Sequence, residues 1–128
     1  MSYHFSKRLD VPFDQAVARV TEALKREGFG VLTDIDVSAT MKAKLGEDFR
    51  LYRILGACNP QLAYRALQLE GKIGTMLPCN VIVQLHGDGG VEVSAVDPVA
   101  SMQAITNPGL AEVAKEVQAR LKRVVEGL

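Results

Sequence analysis

The stretch Gly87-Asp88-Gly89-Gly90 restricts this chain more than any other. It separates residues 79–86, with the unbroken apolar centre Val81-Ile82-Val83, from residues 91–96. Glycine and aspartate at such a junction supply the left-handed backbone of a tight hairpin turn. Two antiparallel strands therefore meet here, and the apolar centre of the first puts it inside a sheet. Alternation then selects the register. A three-residue loop, Asp88-Gly89-Gly90, pairs Leu85 with Val93 and Val83 with Ala95, and gathers Gln84, His86, Glu92 and Ser94 on the other face. A two-residue Asp88-Gly89 turn mixes polar and apolar residues on both faces, so the longer loop is expected.

The other segments fit around this hairpin. Residues 3–9 alternate, with Tyr3, Phe5 and Lys7 against His4, Ser6 and Arg8, which describes a half-polar strand. Pro12 suits the first turn of a helix. Phe13, Val17, Val20 and Leu24 then recur at helical spacing, and Gly28 supplies a left-handed stop. Val31, Thr33, Ile35 and Val37 form a second alternating strand. Ser38 is placed to cap a short helix running to Leu45 and stopped by Gly46. Residues 51–57 form a third strand, with Leu51, Leu55 and Arg53 on one face. Asn59 and Pro60 are a cap and a first helical residue, followed by the stripe Leu62, Ala63, Ala66 and Leu69. Gly71 and Gly74 break that helix. After the hairpin, Asp97-Pro98 opens a helical turn through Ala104, and Asn107-Pro108 opens a last helix with Leu110, Val113, Val117, Leu121 and Val124 inside. The order is that of one α+β domain over residues 1–128. It implies a single sheet of about five strands, largely antiparallel, with helices packed mainly on one face.

Composition excludes several classes. At 128 residues, 48% of them apolar and 23% charged, the chain has enough material for one core. Fifteen basic residues balance fifteen acidic ones, so there is no electrostatic footprint for nucleic acid or an anionic membrane. Lys42, Lys44, Arg50 and Arg53 form only a local basic cluster. No apolar run approaches the ~20 residues that span a bilayer. The N-terminal residues lack the apolar segment of a signal peptide, so a cytoplasmic location with reduced thiols is expected. No phosphate loop, nucleotide fingerprint, serine elbow or aromatic platform occurs.

Chemistry concentrates at the two cysteines, Cys58 and Cys79. Each is followed by an asparagine, Asn59 or Asn80, and each has a proline close by, Pro60 or Pro78. Cys58 ends one strand and Cys79 begins another. Antiparallel neighbours would bring both to one end of the sheet; parallel neighbours would separate them by roughly 23 Å. The shared end is the expectation. The hairpin register sets Asp97 opposite Val81, two residues from Cys79 on the same face. A helix N-terminus after Cys58 favours a thiolate there, with Cys79 as its resolving partner. The plain alternative is that both cysteines are packed core residues, while Asn59 and Asp97 are helix caps. Two distant cysteines are a weak metal signal, and His86 falls on the opposite face from Cys79, so neither a metal nor a cofactor is expected. Met41, Met76 and Met102 are read as core filler.

Together, Leu55-Gly56-Ala57-Cys58-Asn59-Pro60, Leu77-Pro78-Cys79-Asn80 and Ser94-Ala95-Val96-Asp97-Pro98 resemble the domain of unknown function 302 family. Residues 30–37 and Lys42-Ala43-Lys44-Leu45-Gly46 fit the same pattern. The resemblance implies a small bacterial or archaeal α+β domain that pairs as a homodimer. It directs attention to Cys58, Asn59, Cys79, Asn80 and Asp97 without assigning them a role. Three functional readings follow: a small-molecule binder with thiol redox or sulfur-carrier chemistry at Cys58 and Cys79, a non-catalytic homodimeric module, and a metal-binding protein.

Overall fold

The structure is a computed structural model and describes residues 2–128. Strand β1 (His4–Leu9) leads through Pro12 into helix α1 (Phe13–Arg26), then β2 (Gly30–Asp36), α2 (Val37–Leu45), β3 (Tyr52–Cys58) and α3 (Pro60–Leu69). A 3-10 turn (Ile73–Met76) precedes β4 (Cys79–Leu85), β5 (Val91–Val96), the single turn α4 (Pro98–Ser101) and the long α5 (Pro108–Glu126). The strands form one sheet in the order β1-β5-β4-β3-β2. Every neighbouring pair is antiparallel. This is the α+β sheet that the alternating segments imply.

The pleat decides the layers. Val81 and Val83 of β4 and Val91, Val93 and Ala95 of β5 are fully buried, whereas Ile82, Gln84, Glu92 and Ser94 between them are half-exposed. Onto the buried face pack Ala16, Val20 and Leu24 of α1, and Leu121, Val124 and Val125 of α5. Each large side chain so enclosed stabilises the fold by about 1.5–3 kcal/mol relative to exposure, which lets one layer of helices suffice. Left-handed glycines end two helices as expected, Gly28 at φ +86° and Gly46 at φ +68°.

Three local expectations change. The hairpin loop does hold three residues, but they are Gly87-Asp88-Gly89, so Leu85 pairs with Val91 and Val83 with Val93. Gly89 takes the left-handed position at φ +88°, its N–H donates to the His86 carbonyl, and the His86 N–H donates to the Gly90 carbonyl. Asp88 accepts from the Gly90 N–H at 2.8 Å and from Arg8 at the same distance, which fastens the turn one residue earlier. The register moves by two, an even number, so every side chain keeps its predicted face. Helix α2 is capped by Asp36, which accepts from the Ala39 N–H at 2.9 Å, while Ser38 donates to the Phe49 carbonyl. Finally, the break at Gly71 leads into a 3-10 turn that contains Gly74 and whose Ile73 is fully buried, so this connection is part of the core.

Candidate functional site

Antiparallel pairing of β3 and β4 sets Ala57 opposite Cys79. Cys58 is the next residue along β3 and pairs with Gly30 of β2. The two cysteines thus share one end of the sheet, and both are free. The crowding there explains the glycine in Leu55-Gly56-Ala57-Cys58. A methyl group at Gly56 would stand 2.1 Å from the Thr33 hydroxyl and 2.7 Å from the Pro78 ring. Past Cys58 the chain turns directly into α3, because the Asn59 Oδ1 accepts from the Leu62 N–H at 3.2 Å and Pro60 needs no partner for its nitrogen. Asn59 is nearly buried, with its amide against Gly28.

These elements frame a half-open cavity of about 350 Å³. The sheet contributes Ala57, Cys58 and Cys79; α3 contributes Leu62 and Ala66; α5 contributes Val113 and Val117; Leu77 and Pro78 close the side before β4. Asn59 also lines it, and no charged residue does among those described. The size falls at the lower end of what small-ligand sites occupy, and the largely apolar lining is typical of them.

The thiols respond to this setting. Burial pushes the Cys79 thiol up to about 11, with Cys58 adding to the effect. Burial also raises the Cys58 thiol. The helix N-terminus would act in the opposite direction, but Asn59 already occupies the Leu62 N–H there and desolvation prevails. Near neutral pH both sulfurs are S–H groups: soft, neutral wall atoms rather than nucleophiles.

The remaining predicted residues separate. Asp97 does not line the cavity; by continuation of the hairpin register it falls level with Cys79 instead of Val81. Its carboxylate caps α4, accepting from Val99 N–H at 3.0 Å and Ala100 N–H at 3.4 Å. The Gln118 amide of α5 donates to both of its oxygens, at 3.0 and 3.2 Å. Asp97 thereby fixes Pro98, which does line the cavity. Asn80 lies opposite Gly56 on the outer face of the sheet, in a separate, more polar concavity with Tyr52, Gln84, Glu92 and Ser94. Among the described residues no three His, Cys, Asp or Glu side chains converge as a metal site would require. What residue patterns missed is the apolar lining from α3 and α5. Those residues sit in ordinary amphipathic stripes, and a stripe does not reveal whether its neighbours leave a gap.

Fold and site define a small α+β domain with a largely apolar cavity where its antiparallel sheet meets two helices. The chain belongs to the family described as "Domain of unknown function DUF302", which it matches over residues 5–128. It is similar to a crystal structure of an uncharacterised conserved DUF302 protein from Bacillus stearothermophilus. The two are 30% identical over 98% of each chain, with a TM-score of 0.91. Among curated proteins nothing matches. No helix of the described residues is long and apolar enough to cross a membrane.

Proposed function

We propose that the domain binds the apolar part of a small molecule in the cavity beside Cys58 and Cys79. The observation that carries this reading is an apolar space of about 350 Å³ walled by Leu62, Ala66, Val113, Val117 and two protonated thiols. Such a half-open space exposes its apolar walls to water, and an apolar guest covers them. The test is a fluorescence titration with Nile red, followed by the same titration on Ala66→Trp, whose indole fills the space. Saturable binding that the variant loses supports the reading, provided circular dichroism shows the variant folded. Thiol labelling gives a second readout without substitution: a bound guest slows the reaction of Cys58. A wild-type protein that takes up no dye and shows no such protection overturns it.

The thiol redox or sulfur-carrier role is the sharper version of this proposal. The shared end of β3 and β4 favours it; the upward shift of both thiols counts against it, since the thiolate is the reactive form. In a cytoplasmic setting the two free cysteines stay reduced. Pairing with a second copy belongs to the proposal too. The sheet face away from the helices carries Ile54 and Ile82 amid the acid Glu92 and the base Arg50, a self-complementary set for a two-fold contact. Sedimentation equilibrium of the wild type and Ile82→Glu tests it: a dimer that the variant dissociates is the supporting result, and a wild-type monomer the opposing one.

A further inference from the structure

A second, smaller cavity of about 220 Å³ lies beside the first, lined by Gln103, Ile105 and Lys115 among others. The two spaces share three lining residues, Met102, Leu110 and Ala114. Leu110 and Ala114 are one turn apart on α5 and form the ridge between the two spaces. Met102, just past α4, is the remaining shared residue and borders both spaces. It is half-buried, unbranched and able to swing aside on three rotatable bonds. Displacing Met102 would join the two spaces into one trough that crosses this ridge of α5, from Val113 and Val117 on one flank to Ala111 and Lys115 on the other. Lys115 is the single cation lining either cavity, and among the described residues its ammonium has no carboxylate partner. A trough that is apolar at one end and cationic at the other selects a particular chemistry.

We infer that the ligand is an amphiphile with one linear aliphatic chain and a carboxylate head. The chain extends past Met102 into the cavity beside Cys58 and Cys79, and the head pairs with Lys115 while Gln103 offers its amide. This rests on the cavity reading above and names the class of molecule the cavity takes.

The test displaces bound Nile red with octanoate, decanoate and dodecanoate, and with the alcohols of the same lengths. Affinity should rise about fourfold per added methylene within the trough. Each acid should exceed its alcohol by about threefold, as an exposed ion pair allows. Lys115→Gln, a change at an exposed position, should erase that preference and leave the alcohols unaffected. Met102→Phe, with a stiffer side chain bordering both spaces, should flatten the chain-length series. Equal binding of acids and alcohols by the wild type, or an acid preference that survives in Lys115→Gln, overturns the inference. Displacement by compact molecules such as toluene, with no chain-length series, overturns it while the cavity reading stands. Failure of Nile red to bind at all overturns both.

Discussion

Cys79 shows how a side chain's surroundings decide its chemistry. It sits opposite Ala57, 7% exposed, among aliphatic walls that cannot solvate a thiolate. Its ionisation is pushed to about 11, whereas an unfolded cysteine ionises near ~8.5. A folded-state pKa raised for an acid means that the unfolded chain releases its proton first. Stability is thus intact below the unfolded value and declines as pH rises from ~8.5 towards 11. The full effect is on the order of 3 kcal/mol. Urea unfolding of the wild type and Cys79→Ala at pH 7.5 and pH 10.5 should show the variant losing less stability over that interval. An equal loss in both would mean that Cys79 ionises normally in the fold. Gly56 makes the complementary case. A Cβ there meets the rigid Pro78 ring at 2.7 Å, so Gly56→Ala should cost about 1–3 kcal/mol in the midpoint of denaturant unfolding. At this scale the sequence was informative about which residues matter and silent about why. The glycine, the two cysteines and both prolines stood out as a pattern, but crowding and desolvation come from residues distant in the chain, such as Thr33.

Elements show where local chemistry prevails and where it does not. Strand and helix identities followed from alternation and caps, because Asn59-Pro60, Asp97-Pro98 and Asn107-Pro108 each begin a helix through the same side-chain acceptance. The hairpin register slipped because Gly89, not Gly90, takes the left-handed position and Asp88 accepts from the Gly90 N–H inside the turn, with Arg8 of β1 adding an exposed second contact. Asp97 behaves similarly. Its place near the Cys79 end of the sheet follows from the strand order, but its carboxylate is claimed by the N-terminus of α4 and by Gln118. The pair locks a single helical turn onto α5. Asp97→Ala should therefore destabilise the fold by about 1–2 kcal/mol through loss of the cap and of the Gln118 contact. A double-mutant cycle with Gln118→Ala separates the two contributions. A coupling energy above about 0.5 kcal/mol is expected for groups in direct contact. Zero coupling would mean that Gln118 contributes nothing to holding α4.

At the scale of the molecule, the helices cover one side of the sheet and do not meet completely at the end where β3 and β4 hold the cysteines. The connection from α3 to β4 closes one wall with Gly74, Leu77 and Pro78, and Pro98 of α4 with Met102 closes another. The fold class could be foreseen because it follows from the count and order of amphipathic segments. The void could not, since it depends on how far apart α3 and α5 stand. A void that survives in a folded domain carries a thermodynamic signature. A larger side chain at its wall should stabilise the empty protein while abolishing its binding, because guest and side chain compete for the same space. Ala66→Leu, at a buried wall position on α3, is the direct case. Its melting temperature without ligand should rise, by an amount corresponding to at most about 1–2 kcal/mol. For the wild type, decanoate at about 100 times its dissociation constant should add about 2.7 kcal/mol, a shift on the order of 10 °C for a domain of this size. The variant should show little of that shift. Differential scanning calorimetry of both proteins, with and without decanoate, reads all four values. If the variant melts lower without ligand, the space is too tight for the added carbons. If it keeps the full ligand shift, the guest binds elsewhere, and the wall beside Cys58 and Cys79 is only the place where two helices and a sheet fail to touch.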